Sequence, residues 1–339
     1  MKRTTWKRFA GAALCAVTAL GCTVPVSAAE STRYPLTITT YDQSGNEVET
    51  TYEKAPEKVL AVYQGCIETM LSLGLEDRLV AAAGLDNAVP DELAEAFEQV
   101  NYLDEFTPSL ETATMLEPDM IFSWGSILAD DRLGDVDSWT EKGCNVYINS
   151  NTRPRTGDAS HSRTLENEIT DLLNIGKIFD VQDKAEAIVA DIQSVIDQTA
   201  EAASGLEEQP TVLILEPLGD EITNYGAASL GGDMVTALGA ALANPDASQV
   251  GKEDIIAADP DVIFVVYMPY SGDDPETVKN DQLNVILEDE ALQNLSAVKN
   301  GNVYPIMLSE MYASATRTPD GMVTFAQGLY PDLELDSEN

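Results

Sequence analysis

The sequence predicts an α/β protein of two similar lobes, each a parallel sheet flanked by helices, joined by one long helix. Short β-rich apolar runs alternate with helical patterns along most of the chain, which is typical of parallel sheets. One pattern of residues occurs twice, which indicates two related units. Between its two copies, helical spacing continues from Thr164 for about forty residues.

The repeated pattern occupies residues 111–122 and 253–264 and reads Glu, six residues, Pro-Asp, one residue, Ile-Phe. Pro118 and Pro260 lack a backbone N–H and disfavour helical geometry in the residue before them. Each copy therefore predicts a short helix that ends at the Pro-Asp turn. The apolar run after each turn predicts a strand buried on both faces.

The other elements follow from the same patterns. A hairpin is expected at 37–41 and 48–52, around Ser44-Gly45-Asn46. The strands expected after it span 58–62, 79–83, 119–123, 145–149, 211–215, 261–267 and 302–307. The helices expected between them span 67–73, 93–100, 109–116, 133–142, 230–238, 252–258, 292–298 and 320–329.

The long helical stretch has an expected break near Phe179-Asp180. A straight helix from Asp183 to Ser204 would span about 30 Å, enough to join two lobes. The predicted organisation is an N-terminal lobe at 35–163, a helical segment at 164–204, a C-terminal lobe at 205–331 and an acidic tail at 332–339. Cys66 follows a predicted strand and Cys144 precedes one, so we expect two separate thiols at opposite ends of one sheet.

Residues 1–29 are typical of an export signal, with a basic start and an apolar core from Ala10 to Leu20 that is too short to span a bilayer. Leu20-Gly21-Cys22 predicts lipidation of Cys22 and anchoring to the outer face of the cell membrane. The small residues at 26–29 instead predict ordinary cleavage and secretion. Both outcomes place the folded part outside the cytoplasm.

Composition and motifs argue against several classes of protein. A formal net charge of −39 opposes binding to nucleic acid or to anionic membrane surfaces. Neither a phosphate loop nor a dinucleotide-binding glycine motif is present. His161 is the only histidine, which excludes a multi-histidine zinc site, and it lies in a polar loop without a nucleophile elbow. We therefore expect a binding protein rather than an enzyme, with no metal site and no cofactor.

Open parallel sheets bind ligands beyond the carboxyl ends of their strands, so two facing lobes predict a cleft lined by those ends. This rule names ten candidate ligand-binding residues, which are Tyr63, Gln64, Trp124, Arg153, Arg155, Tyr225, Tyr267, Met268, Tyr312 and Arg317. Aromatic faces suit flat organic ligands, and arginines suit carboxylates and catecholate-like oxygens. Each of these residues could equally be packed in its lobe.

Glu111 and Glu253 each lie in the first turn of a repeated helix, at the rim of the predicted cleft. A glutamate there complements the helix dipole, which is reason enough for one such residue. Two matched glutamates on two matched rims also suggest contacts with a partner that carries basic pockets.

Several motifs in this order resemble the substrate-binding proteins of iron-siderophore, haem and cobalamin ABC importers. They are Pro56-Glu-Lys-Val-Leu60, residues 71–78, Ser109-Leu-Glu111 with Pro118-Asp119, Glu253 with Pro260-Asp261, and residues 295–304. The resemblance covers about residues 35 to 331. It implies Rossmann-like lobes with little hinge motion, and docking of Glu111 and Glu253 to arginines of a membrane permease that works with an ATPase.

The first functional hypothesis is a monomer that delivers a ferric siderophore to such an importer. Cobalamin and haem remain open as ligands, since Tyr63, Tyr225 or Tyr267 could ligate a haem iron. An exported enzyme or adhesion module on the same scaffold is the alternative from a different class.

Overall fold

The computed structural model describes residues 31–335 except 130, 155–161, 207 and 220. The expected export signal, the expected lipidation site Cys22 and the candidate ligand-binding residue Arg155 lie outside the described residues. No helix in the described part of the chain is both long enough and apolar enough to cross a bilayer.

The N-terminal lobe holds the hairpin and a four-stranded parallel sheet with strand order β4-β3-β5-β6. The strands are β1 (Leu36–Tyr41), β2 (Glu47–Tyr52), β3 (Val59–Val62), β4 (Leu79–Ala83), β5 (Met120–Ser123) and β6 (Asn145–Ile148). The helices are α1 (Gln64–Ser72), α2 (Ala94–Phe97), α3 (Leu110–Leu116) and α4 (Val136–Thr140). Strands β3 and β5 are buried along their whole length, as expected for a sheet covered on both faces.

Two long helices, α5 (Leu165–Phe179) and α6 (Gln182–Ser204), connect the lobes. The predicted break between them is Asp180, whose left-handed backbone (φ 59°) ends α5. Ala185 of α6 packs in the core of the N-terminal lobe, whereas Ile192 and Val195 of the same helix pack in the core of the C-terminal lobe. Helix α6 therefore belongs to both cores, as the sequence predicts for a connecting strut.

The C-terminal lobe holds a five-stranded sheet with order β11-β10-β7-β8, and β9 pairs with β7 beside this path. Its strands are β7 (Thr211–Leu218), β8 (Glu221–Asn224), β9 (Ala241–Leu242), β10 (Val262–Tyr267) and β11 (Val303–Met307). Its helices are α7 (Leu230–Ala237), α8 (Lys252–Ala258), α9 (Pro275–Leu287), α10 (Ser296–Asn300) and α11 (Thr318–Leu329). All pairings in this sheet are parallel except that of β7 with β8.

Three strands of each sheet match, because β5 lies between β3 and β6 as β10 lies between β7 and β11. The repeated Pro-Asp explains part of this match. Asp119 accepts hydrogen bonds from the backbone N–H groups of Glu57 (2.9 Å) and Lys58 (2.8 Å), just before β3. Asp261 likewise accepts one from the N–H of Thr211 (2.8 Å), at the start of β7. In both lobes this aspartate ties the turn to the neighbouring strand.

Several predicted elements differ from the observed ones. The helices expected at 93–100 and 133–142 shorten to α2 and α4, and the helix expected at 292–298 lies at 296–300. Strands β8 and β9 and helix α9 were not predicted. Strand β8 has one apolar residue, Ile222, β9 has only two residues, and α9 buries only Ile286. Cys66 and Cys144 are free thiols, as expected.

Candidate ligand-binding cleft

A cavity of about 170 Å³ lies between the carboxyl ends of the two sheets. Its walls come from both lobes, through residues that follow β3, β4, β5, β10 and β11. The lining residues are Gln64, Gly65, Glu68, Asp86, Trp124, Met268, Tyr270, Leu308, Ser309, Tyr312, Ala313 and Ser314. The cavity lies where the topology of open parallel sheets predicts it.

A row of aromatic side chains crosses the cleft from one lobe to the other. The ring centroid of Trp124 lies 5.2 Å from that of Tyr63 and 6.1 Å from that of Tyr312. Tyr312 in turn lies 6.5 Å from Tyr225. The indole N–H of Trp124 is buried and has no hydrogen-bond acceptor among the described residues. The row gives the cleft extended aromatic surfaces, which suit planar or cationic groups.

Arg317 and Glu68 form a buried ion pair between the lobes beneath the cavity. The Arg317 Nε donates to Glu68 Oε2 (2.8 Å), and Nη2 donates to Glu68 Oε1 (2.6 Å). The same guanidinium also donates to Ser309 Oγ (3.1 Å) and to the carbonyl of Ala88 (3.2 Å). Because its donors are used inside the protein, Arg317 holds the lobes together in this structure.

The segment Asp86–Ala88, which follows β4, contacts the opposite lobe directly. The Asp86 N–H donates to Gln64 Oε1 (3.0 Å), and its carbonyl accepts from the N–H of Ser271 (3.0 Å). The Asp86 carboxylate lines the cavity, and no described residue donates a hydrogen bond to it. Burial raises the pKa of this carboxyl above its ordinary value.

Arg163 lies behind the aromatic row, where its guanidinium stacks on Tyr312 at 3.7 Å from the ring centroid. Its Nη2 donates to the Tyr312 hydroxyl (2.7 Å) and its Nε to the carbonyl of Asn151 (2.8 Å). Arg163 also lines a second cavity of about 190 Å³, together with Tyr225. Arg163 and Tyr312 thus lie between the two cavities.

Tyr63 ends β3 with a positive φ of 75° and a ψ of 155°. This region of backbone space is used almost only by glycine, so the residue is strained. Its hydroxyl lies 3.2 Å from that of Thr107 and accepts a hydrogen bond from Arg132 Nη1 (3.1 Å). The strain orients the ring against Trp124 rather than into the cavity itself.

The structure places nine of the ten candidate residues, all but Arg155, at different depths. Four of them line the cavity, namely Gln64, Trp124, Met268 and Tyr312. Tyr63 and Arg317 lie directly behind its wall, and Tyr225 lines the second cavity, where it donates to Glu216 (2.6 Å). Tyr267 is half-buried and does not line the cavity, and Arg153 lies over the ring of Tyr41 at the hairpin.

Sequence reasoning missed several lining residues, chiefly Asp86, Glu68 and Tyr270. Asp86 follows β4, so the rule of strand ends could have found it. Glu68 lies on α1 and becomes part of the site only through its distant partner Arg317, which gives no local signal.

Glu111 and Glu253 are both exposed and lie in the first turns of α3 and α8. Both helices also carry exposed apolar side chains close to the glutamate, since Leu110, Met115 and Ile256 are 45%, 77% and 45% exposed. Helices α3 and α8 therefore each present one carboxylate beside exposed apolar side chains.

Comparisons with known proteins agree with this architecture. Residues 59–307 match the family described as periplasmic binding protein. The petrobactin-binding protein YclQ of Bacillus subtilis is 24% identical over 80% of each chain. The uncharacterised ABC transporter substrate-binding lipoprotein YvrC of the same organism is 21% identical over 94% of this chain and 95% of its own. A solved periplasmic binding protein from Veillonella parvula superposes with a TM-score of 0.81 at 28% identity, covering 90% and 96% of the two chains.

Proposed function

This chain belongs to the periplasmic binding protein family, and we propose that it is the extracytoplasmic substrate-binding component of an ABC importer for a ferric siderophore. The observation that carries the proposal is the cavity at the facing strand ends, with aromatic walls from both lobes. The petrobactin-binding relative binds a ligand of this class by name. The cavity is smaller than the 300–1,000 Å³ usual for ligand pockets, so a siderophore would also extend into the open mouth of the cleft.

The proposed partners are a membrane permease and its ATPase. Glu111 and Glu253 support this docking, because they are exposed on matched helices at the two rims. Helix α6 packs in both cores and so fixes the spacing of these rims. The proposed location is the outer face of the cell membrane, through a lipid on Cys22, and the name of the relative YvrC supports that anchor.

The ligand class is tested by titrating the purified protein with ferric siderophores, haemin and cobalamin while following its intrinsic Trp and Tyr fluorescence. Trp124 lies at the cavity wall, so ligand binding should quench it. A ferric siderophore is expected to bind with Kd below about 1 µM. Binding of haemin or cobalamin alone would reassign the ligand, and no binding in any titration would remove the importer proposal.

Docking is tested with the double variant Glu111→Ala and Glu253→Ala in a strain that depends on this protein for uptake. We expect siderophore affinity within twofold of the wild type and loss of uptake. The matched control is Glu117→Ala with Glu288→Ala, two exposed glutamates that end α3 and α9 away from the cleft. Loss of ligand binding in the first variant, or equal loss of uptake in both, would contradict the rim assignment.

A further inference from the structure

The Asp86 carboxylate is the feature of the cavity that the proposed function leaves unexplained. It lines the cavity and is half-buried, yet no described residue donates a hydrogen bond to it. Such a carboxylate takes its hydrogen-bond donors from water, so a ligand that displaces this water must supply a donor in its place.

The position of Asp86 is fixed by contacts on both sides of the cleft. Gln64 accepts from its N–H, and Ser271 of the opposite lobe donates to its carbonyl. The next residue, Asn87, donates to the carbonyl of Pro269 (3.4 Å). These contacts hold residue Asp86 at the cavity wall without using its carboxylate. A side chain held in this way is preorganised to contact a ligand.

The surroundings of Asp86 favour a positive charge. Trp124 and Tyr270 line the same cavity, and aromatic faces attract cations. Glu68 is the second acidic residue in the wall, and its charge is already matched by Arg317. The formal net charge of −39 adds a field over the whole molecule that also attracts cations.

We infer that the ligand presents a protonated amine to Asp86, so that the transported siderophore is one whose ferric complex carries a free ammonium group. This inference rests on the proposed function and specifies its substrate class. Of the candidate arginines that would suit carboxylates and catecholate-like oxygens, Arg317 is engaged by Glu68 and Arg153 lies over the ring of Tyr41.

The test uses ligands that share one iron centre and differ in charge. The probes are a linear ferric trihydroxamate with a terminal primary amine, the same complex with that amine acetylated, and a trianionic ferric tris-catecholate. Each is titrated into the wild type, Asp86→Asn, Asp86→Glu and Asp246→Asn. Asp246 is exposed and lines the second cavity, so its variant removes the same charge from the molecule at another place.

We expect the wild type to bind the amine complex about tenfold more tightly than the acetylated one, the size of one hydrogen bond between charged groups. Asp86→Asn should abolish this preference, while Asp86→Glu and Asp246→Asn should keep at least part of it. Circular dichroism should show all variants folded, because the carboxylate holds no described group.

Three results would overturn the inference. Equal or tighter binding of the acetylated or trianionic complex by the wild type is the first. An unchanged tenfold preference in Asp86→Asn is the second. Both leave the proposed function standing if any ferric complex binds. Absence of binding by every ferric complex is the third, and it overturns the inference and the proposed function together.

Discussion

The two copies of the repeated pattern are alike at one end of the sheet and different at the other. At the end away from the cleft, Glu117 and Asp259 stop α3 and α8 with left-handed backbones (φ 48° and 37°). Asp119 and Asp261 then bind the start of the neighbouring strand in the same way. At the cleft, β5 leads into Trp124, whereas β10 leads into Tyr267 and Met268.

The difference separates structural roles from ligand-binding ones. Residues that the two lobes share satisfy backbone groups that any such sheet must satisfy. The contacts that one lobe alone supplies lie around the cavity, and they include the strained Tyr63, the bridging segment Asp86–Ala88 and the guanidinium of Arg317. Four predictions test this division.

The largest effect is expected for Arg317→Met. This change removes the buried ion pair with Glu68, a contact between the lobes that the repeat does not duplicate. Glu68 would then stay buried without its partner, and we expect the free energy of unfolding to fall by about 3–5 kcal/mol. Chemical denaturation measures the loss. The double variant with Glu68→Gln should recover part of it, since it removes the uncompensated charge. A loss below about 1 kcal/mol in Arg317→Met would show that this ion pair does not stabilise the fold.

The shared end of the repeat is tested by Asp119→Ala and Asp261→Ala. Each removes an ionised acceptor from backbone N–H groups, so each should lower the free energy of unfolding by about 1–3 kcal/mol. Asp119 is less exposed and should lose more. The double variant should show the sum, because the sites lie in different lobes. The asparagine variants are the controls, since each keeps one oxygen acceptor. A loss at only one of the two sites would break the equivalence of the copies.

The third prediction concerns Glu310, which follows β11, while the neutral Ser150 and Asn151 follow the matching strand β6. Burial, and then the charge of Asp320, raise the pKa of Glu310 from 4.5 to about 7. The folded state therefore keeps a proton that the unfolded chain releases. Its contribution to stability is present below about pH 4.5 and is lost as the pH rises to about 7.

The loss is on the order of 1–2 kcal/mol, because part of the side chain is exposed. Glu310→Gln should reduce the slope of the free energy of unfolding against pH across this window, and the rest of the slope comes from Glu168 and Asp171, whose pKa values burial also raises. The wild type measured in the same buffers is the reference, and an equal slope in the variant would contradict the assignment.

The smallest effect is expected at Tyr63, where the substitutions test the strain of the backbone conformation rather than the contacts of the side chain. Tyr63→Gly should be more stable than Tyr63→Ala by about 1 kcal/mol, because glycine alone adopts this conformation without strain. Trp124, which follows β5 with a φ of −75°, is the matched control. There the glycine variant should be the less stable of the two. The same order of stability at both positions would argue against strain at Tyr63.

The sequence predicted the parts of this fold that depend on local signals. Hydrophobic periodicity and the helix-stopping prolines located the core strands, the repeated pattern and the break at Asp180. The same logic failed for β9, which has two residues, and for α9, which buries only Ile286. Tertiary contacts stabilise those elements, and periodicity does not report such contacts.

The sequence predicted where the candidate site lies but not which of its side chains are available to a ligand. The rule of strand ends found Trp124 and Met268, because topology alone decides which residues reach the cleft. This rule could not show whether an arginine is available to a ligand or is already engaged in an ion pair. Arg317 and Glu68 are 249 residues apart in the chain, so their pairing appears only in three dimensions.

Helix α6 gives the duplicated architecture a further property, since Ala185 near its start packs in one core and Ile192 and Val195 pack in the other. A lobe expressed without α6 would lose part of its hydrophobic core. A lobe expressed with α6 would expose to water the apolar side chains that pack in the other lobe. The two lobes resemble each other in topology but share this helix, so we expect the whole protein to melt in a single transition rather than lobe by lobe.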